Sequence, residues 1–126
     1  MRQLLVISFA ILSCVQIESS AGAERCPVTG GDARRAIIAR ASSCRNAVRL
    51  FKRCATGASL DGRLALSVMK VCEKSSLARM PAKERAAYEA AIDGCNRPYA
   101  LKRGTIYRSV AAHCRVDVMA QYDRRH

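Results

Sequence analysis

From Asp32 onward, apolar positions return at steps of three and four, and no useful stretch alternates with the period of two that a half-buried strand shows. Four helices are expected. The first runs from about Asp32, its N-cap, to Ala55, with Ile37, Ala41, Cys44, Val48, Phe51 and Ala55 on one face. Gly57 ends it. Ser59 or Asp61 caps the second, which aligns Leu60, Leu64, Val68, Val71 and Cys72. Pro81 opens the third, with Glu84 close to its N-terminal dipole and Tyr88, Ile92, Cys95 and Tyr99 as its stripe. Pro98 lacks an N–H and clashes one turn back, so it is expected to kink or split that helix before Gly104 stops it. Thr105 caps the fourth, which carries Tyr107, Val110, Cys114, Val118 and Tyr122. The fold class is all-α: a small bundle of about four helices in two hairpins, turning near residues 57–59 and near Gly104.

The chain before Asp32 changes the picture. Residues 1–23 read as an export signal: Arg2, then the apolar run "LLVISFAILSCVQI", then the small-x-small triplet "AGA" before Glu24. The run is short for a membrane span, and no later stretch is long and apolar enough to cross a bilayer. The alternative is a lipoprotein signal, in which "ILSC" would make Cys14 a lipid anchor. Cleavage after Ala23 leaves an irregular lead-in at 24–31, a helical disulfide-rich domain at 32–122, and a frayed tail at 123–126. It also removes Cys14 and leaves six cysteines, an even number that reads as three disulfides in an exported, periplasmic or extracellular chain.

Counting from the turns suggests the pairs. In an antiparallel hairpin, residues equidistant from the turn sit level. Cys95 is nine residues before Gly104 and Cys114 ten after it, which makes Cys95–Cys114 the favoured bond. Cys44 and Cys72 stand level about the 57–59 turn, and Cys26–Cys54 follows by elimination. The last pair is awkward for an unbroken first helix. Either the lead-in folds back or that helix is interrupted.

The net charge is +12. Such a balance favours phospholipid, nucleic acid, acidic glycan or an acidic protein as partner. The charge is not spread evenly. Between Asp32 and Asp61 there is no acid and there are seven bases. Six of them fall on one flank of a continuous helix. Like charges four apart, as in Arg45/Arg49 and Arg49/Arg53, repel mildly, and an anionic partner would relieve them. Arg45, Arg49, Lys52 and Arg53 are therefore the candidate binding residues for an acidic protein or an anionic envelope surface. Specific nucleic-acid binding is disfavoured, because basic residues here lack interleaved aromatic platforms or a known motif.

Catalytic patterns are missing from the sequence. The histidines are His113, beside Cys114, and His126. A Cys–His nucleophile would need a free thiol, and zinc would favour close cysteine pairs. There is no phosphate loop, nucleophile elbow or H-E-x-x-H motif. "HCRVD" at 113–117 does not meet the His-Asp signature of small secreted phospholipases, and Glu84, Glu89 and Asp93 read as solvated helix faces. The expected protein is no enzyme and uses no metal or cofactor.

Cys44…Cys54, "LDGRL" at 60–64, "PAKERAAYEAAIDGC" at 81–95 and "GTIYRSVAAHC" at 104–114 give an order of features that resembles the lysozyme-inhibitor-like domains of bacterial exported proteins. The resemblance covers roughly residues 44–122. It implies a stapled helical fold in a bacterial envelope and inhibition of a cell-wall hydrolase. The chain departs from the pattern in having Tyr88, and no Trp anywhere, after its Glu-Arg pair, and in being basic where an inhibitor of a basic lysozyme should be acidic. The sequence thus points to a small exported binding module that docks an anionic partner, with hydrolase inhibition as the alternative and a small secreted enzyme as the remote one.

Overall fold

The computed structural model describes residues 24–126, so the export signal and Cys14 lie outside the described residues. Five α-helices follow an irregular lead-in: α1 (Gly31–Ala39), α2 (Cys44–Cys54), α3 (Leu60–Lys74), α4 (Ala82–Asn96) and α5 (Thr105–Asp123). Short 3-10 turns cover Ser76–Arg79 and Arg97–Tyr99. No strand occurs among the described residues.

The first expected helix is two helices. Its apolar stripe runs unbroken from Ile37 to Ala55, but Ser42 and Ser43 offer the backbone another arrangement. The Ser43 hydroxyl accepts from the Asn46 backbone N–H at 3.1 Å, and the Asn46 amide donates to Ser42 Oγ at 3.1 Å. Ser43 is extended (φ −155°, ψ 161°), the conformation of an N-cap, so α2 starts afresh there. The break turns α2 back along α1. Nine and eleven residues rise about 13 and 16 Å, so the start of α1 comes level with the end of α2. Arg34 Nη1 donates to the Cys54 carbonyl at 3.1 Å, and Arg53 Nη2 to the Arg25 carbonyl at 2.8 Å. That fold-back brings Cys26 within 4.7 Å of Cys54, Cα to Cα, and the two are bonded.

Two other disulfides join Cys44 to Cys72 and Cys95 to Cys114, with Cα separations of 4.4 and 5.5 Å. Each staples a hairpin, α2–α3 and α4–α5. Such bonds are worth about 2–4 kcal/mol each in a small domain. Three intrachain disulfides fit an oxidising, export-type environment.

The core lies where α1, α2 and α5 pack on α3. Phe51, Leu64, Val68, Cys72, Val116 and Met119 are fully buried there. On α5 the buried face is only partly the expected one: Tyr122 is in the core and Val118 packs against it, but nearer the N-terminus the stripe is shifted. Ser109, Ala112, Val116 and Met119 point inward, while Val110 is 40% exposed and Tyr107 is half-exposed. Valine and alanine occur all round this helix, so spacing alone does not fix its face. Small residues at 109, 111 and 112 let α5 approach α3 closely.

Caps also differ from expectation. Gly104, at φ 121°, is the N-cap of α5, a backbone region open to glycine, and Thr105 is the first helical residue. α4 ends at Asn96, two residues before Pro98, and the chain tightens into a 3-10 turn. The tail, expected to fray, is tied down: Asp123 accepts from Ser76 Oγ, and His126 Nε2 lies 2.8 Å from Glu84 Oε2.

Candidate functional site

α5 packs against both α3 and α4, whose backbones barely approach one another. The gap between those two helices is a groove of about 450 Å³ floored by α5. Its first wall is the exposed side of α3. Gly62, Arg63 and Leu66 stand at steps of one and three from there, one helical face. The second wall is the end of α4 and the turn after it, Asn96 to Lys102. Pro98 places this wall, because it stops α4 and turns Tyr99 back over the groove. From the floor rise Tyr107, Arg108 and Arg115.

The lining is cationic and contains no carboxylate. Arg63, Lys102 and Arg108 are exposed. Arg115 is partly buried: its Nη1 donates to Asn96 Oδ1 at 3.1 Å, while its Nε is buried with no hydrogen-bond partner among the described residues. Burial pulls its pKa down, since removing water disfavours the charged form. Tyr99 and Tyr107 stack at 5.9 Å between ring centroids and 26° between planes, with Lys102 Nζ 5.4 Å from the centre of the Tyr107 ring. Leu66, 51% exposed, supplies an apolar edge.

The four basic residues singled out in the sequence are all on α2, away from this groove. Two are used by the fold. Lys52 Nζ sits 3.2 Å from Asp117 on α5, and Arg53 Nη1 3.3 Å from Glu24 in the lead-in. Arg45 and Arg49 are exposed and make no ion pair among the described residues. The break at Ser42–Ser43 also separates them from Arg34 and Arg35, so the flank of six bases on one continuous helix does not exist.

A second cluster lies beneath the groove. Asp61 is fully buried. It does not cap α3. Its carboxylate reaches back to accept from the backbone N–H of Thr56 (2.7 Å) and Gly57 (2.9 Å), from the Thr56 hydroxyl (3.1 Å), and from Ser109 Oγ on α5 (2.7 Å). Burial pushes its pKa up, but those bonds outweigh it and hold the carboxyl below its ordinary range. His113 Nε2 is 3.6 Å from the same Oδ2 that Ser109 bonds, beyond hydrogen-bond reach, and its ring meets Phe51 edge-on at 4.9 Å. Ser109 donates to Asp61 rather than to the histidine. The six cysteines of the described residues are all in disulfides. Among the described residues no three His, Cys, Asp or Glu side chains are grouped to hold a metal. No described helix is long and apolar enough to cross a membrane.

Compared with known proteins, the chain matches no family profile, no curated protein and no solved structure.

Proposed function

We propose that the protein is a non-catalytic binding module that takes an anionic group of a partner in the groove between α3 and α4. One observation carries this reading. Arg115 keeps a partly desolvated positive charge with a buried, unpartnered Nε, in a groove that offers no carboxylate to neutralise it. Removing water from a charge costs free energy unless an opposite charge repays it. Three further cations around the rim, Arg63, Lys102 and Arg108, repel one another and raise the local potential for an anion. The exposed Arg45 and Arg49 on α2 form a secondary patch of convex, solvated charge.

The test compares two charge reversals. Wild type, Arg63→Glu/Arg108→Glu and Arg45→Glu/Arg49→Glu are titrated with three anionic probes: phosphatidylglycerol vesicles, poly-glutamate and oligogalacturonate. At least one probe is expected to bind, to weaken as salt rises to about 0.5 M, and to lose about tenfold in affinity with the groove pair. Equal losses from both pairs, or binding indifferent to salt, would overturn the assignment.

A further inference from the structure

The groove discriminates by hydrogen bonding as well as by charge. Asn96 Oδ1 already accepts from Arg115, so its amide offers two N–H donors and one remaining acceptor lone pair. The guanidinium and ammonium groups of Arg63, Lys102, Arg108 and Arg115 are donors only. Hydroxyls of Ser59, Tyr99 and Tyr107 complete the polar lining. A ligand that fits must be rich in acceptors, anionic, and able to exchange hydrogen bonds with hydroxyls.

We infer that the groove binds an acidic saccharide, a sugar ring bearing a carboxylate, with the carboxylate toward Arg115 and the ring edge along Tyr99 and Tyr107. This rests on the anion-binding reading above and names its ligand class. An acidic peptide fits less well, since its backbone N–H groups would face a lining made mostly of donors. Nucleic acid fits less well too. Base stacking needs an open aromatic face, and the Tyr107 ring is already engaged by Tyr99 and Lys102. The volume, about 450 Å³, lies in the range of about 300–1,000 Å³ usual for small-ligand sites.

Gly62 supplies a clean perturbation. It lines the groove, and a Cβ built on it meets nothing within 4 Å. A side chain at 62 therefore starts in open space at the groove wall, so Gly62→Phe is expected to obstruct the groove, and phenylalanine suits a helix slightly better than glycine. Gly94 on α4 also meets nothing within 4 Å and lies outside the groove, so Gly94→Phe is the matched control.

The experiment is calorimetric titration of the disulfide-intact protein with oligogalacturonate, with its methyl ester, and with oligothymidylate of equal charge. Oligogalacturonate is expected to bind, its ester to bind at least about tenfold more weakly, and oligothymidylate likewise. Gly62→Phe should abolish binding while Gly94→Phe leaves it unchanged. Tyr107→Phe, which removes one hydroxyl and keeps the ring, should weaken the saccharide several-fold. Binding of oligothymidylate as tight as the saccharide's, or saccharide binding that survives Gly62→Phe, overturns the inference. If vesicles, poly-glutamate or oligothymidylate bind with the Arg63/Arg108 dependence and the saccharide does not, the anion site stands and the saccharide assignment fails. If no anionic probe binds at all, both fail.

Discussion

Replacing Asp61 with asparagine removes a buried charge and changes almost no volume. The carboxylate accepts four hydrogen bonds, two of them from the backbone of the α2–α3 turn. Asparagine keeps one oxygen, which can serve Thr56. Its NH2 group must then face the Gly57 N–H and the Ser109 hydroxyl, the partners of Oδ2. The serine can rotate to accept, but the Gly57 N–H cannot. The loss is one bond to a charged acceptor plus one donor left facing another, with bonds to charged groups worth about 1.5–3 kcal/mol each. The total is about 3 kcal/mol, a large part of a small domain's stability of about 5–15 kcal/mol. Urea unfolding with the disulfides intact measures it.

The same substitution has a signature in pH. The folded state holds this carboxyl below its ordinary value of 3.8, so the unfolded chain takes up the proton first as pH falls. The stabilisation is fully present above the unfolded value and is lost as pH falls through the folded one. Wild type should therefore lose its advantage over Asp61→Asn below about pH 4, and Ser109→Ala should show a smaller loss, coupled to it in a double-mutant cycle. A difference under about 1 kcal/mol at neutral pH, or one of the same size at pH 3, would refute a working buried carboxylate.

Other outcomes follow from the same structure. Tyr88→Phe should be neutral or stabilising by up to about 1 kcal/mol, because the hydroxyl is buried without a partner among the described residues. Burial, with Glu73 nearby, pushes that phenol from 10.0 to about 12, so the unfolded chain ionises first and alkaline denaturation between those values should be milder in the phenylalanine variant. Gly94→Ala, in the exposed interior of α4, should raise stability by about 0.5–1 kcal/mol in thermal unfolding. Replacing Cys95 and Cys114 together by alanine should cost about 3 kcal/mol for a separation of 19 residues, and an unchanged melting temperature would deny that staple its role.

The sequence made some of this legible and hid the rest for identifiable reasons. The faces of α2 and α3 follow from spacing, since Cys44, Val48, Phe51, Leu64, Val68 and Cys72 are strongly apolar positions flanked by charge. Counting from the turn near 57–59 places Cys44 level with Cys72, because helix rise is constant on both sides; the bond from Cys95 to Cys114 forms although α4 ends at Asn96 and residues 97–104 are not α-helix. The break at Ser42–Ser43 leaves the stripe in register, so periodicity passes over it; only the serine pair before Asn46 signals a new N-cap. The face of α5 was obscured by alanines and valines on every side. Asp61 read as a cap because it follows a turn, and its long-range partner Ser109 is 48 residues away. The groove draws its lining from three separate segments, around 59–66, 96–102 and 107–115, so no local motif announces it.

The placement of the staples explains why the groove lies where it does. The disulfides stay within two units: Cys26–Cys54 and Cys44–Cys72 hold α1 to α3 together, and Cys95–Cys114 holds α4 to α5. No disulfide crosses from one unit to the other. The seam is closed by apolar packing of α5 on α3, by the buried bond from Ser109 to Asp61, and by the contacts of Asp117 with Lys52 and of Asp123 with Ser76. Asp61 adjoins Gly62 and Arg63, and Ser109 adjoins Arg108, all in the groove lining. The buried hydrogen bond from Ser109 to Asp61, together with the apolar packing around it, therefore holds α3 against α5 beside two of the cations that face the ligand. The staples make each wall rigid, and the noncovalent seam determines how far apart the walls stand.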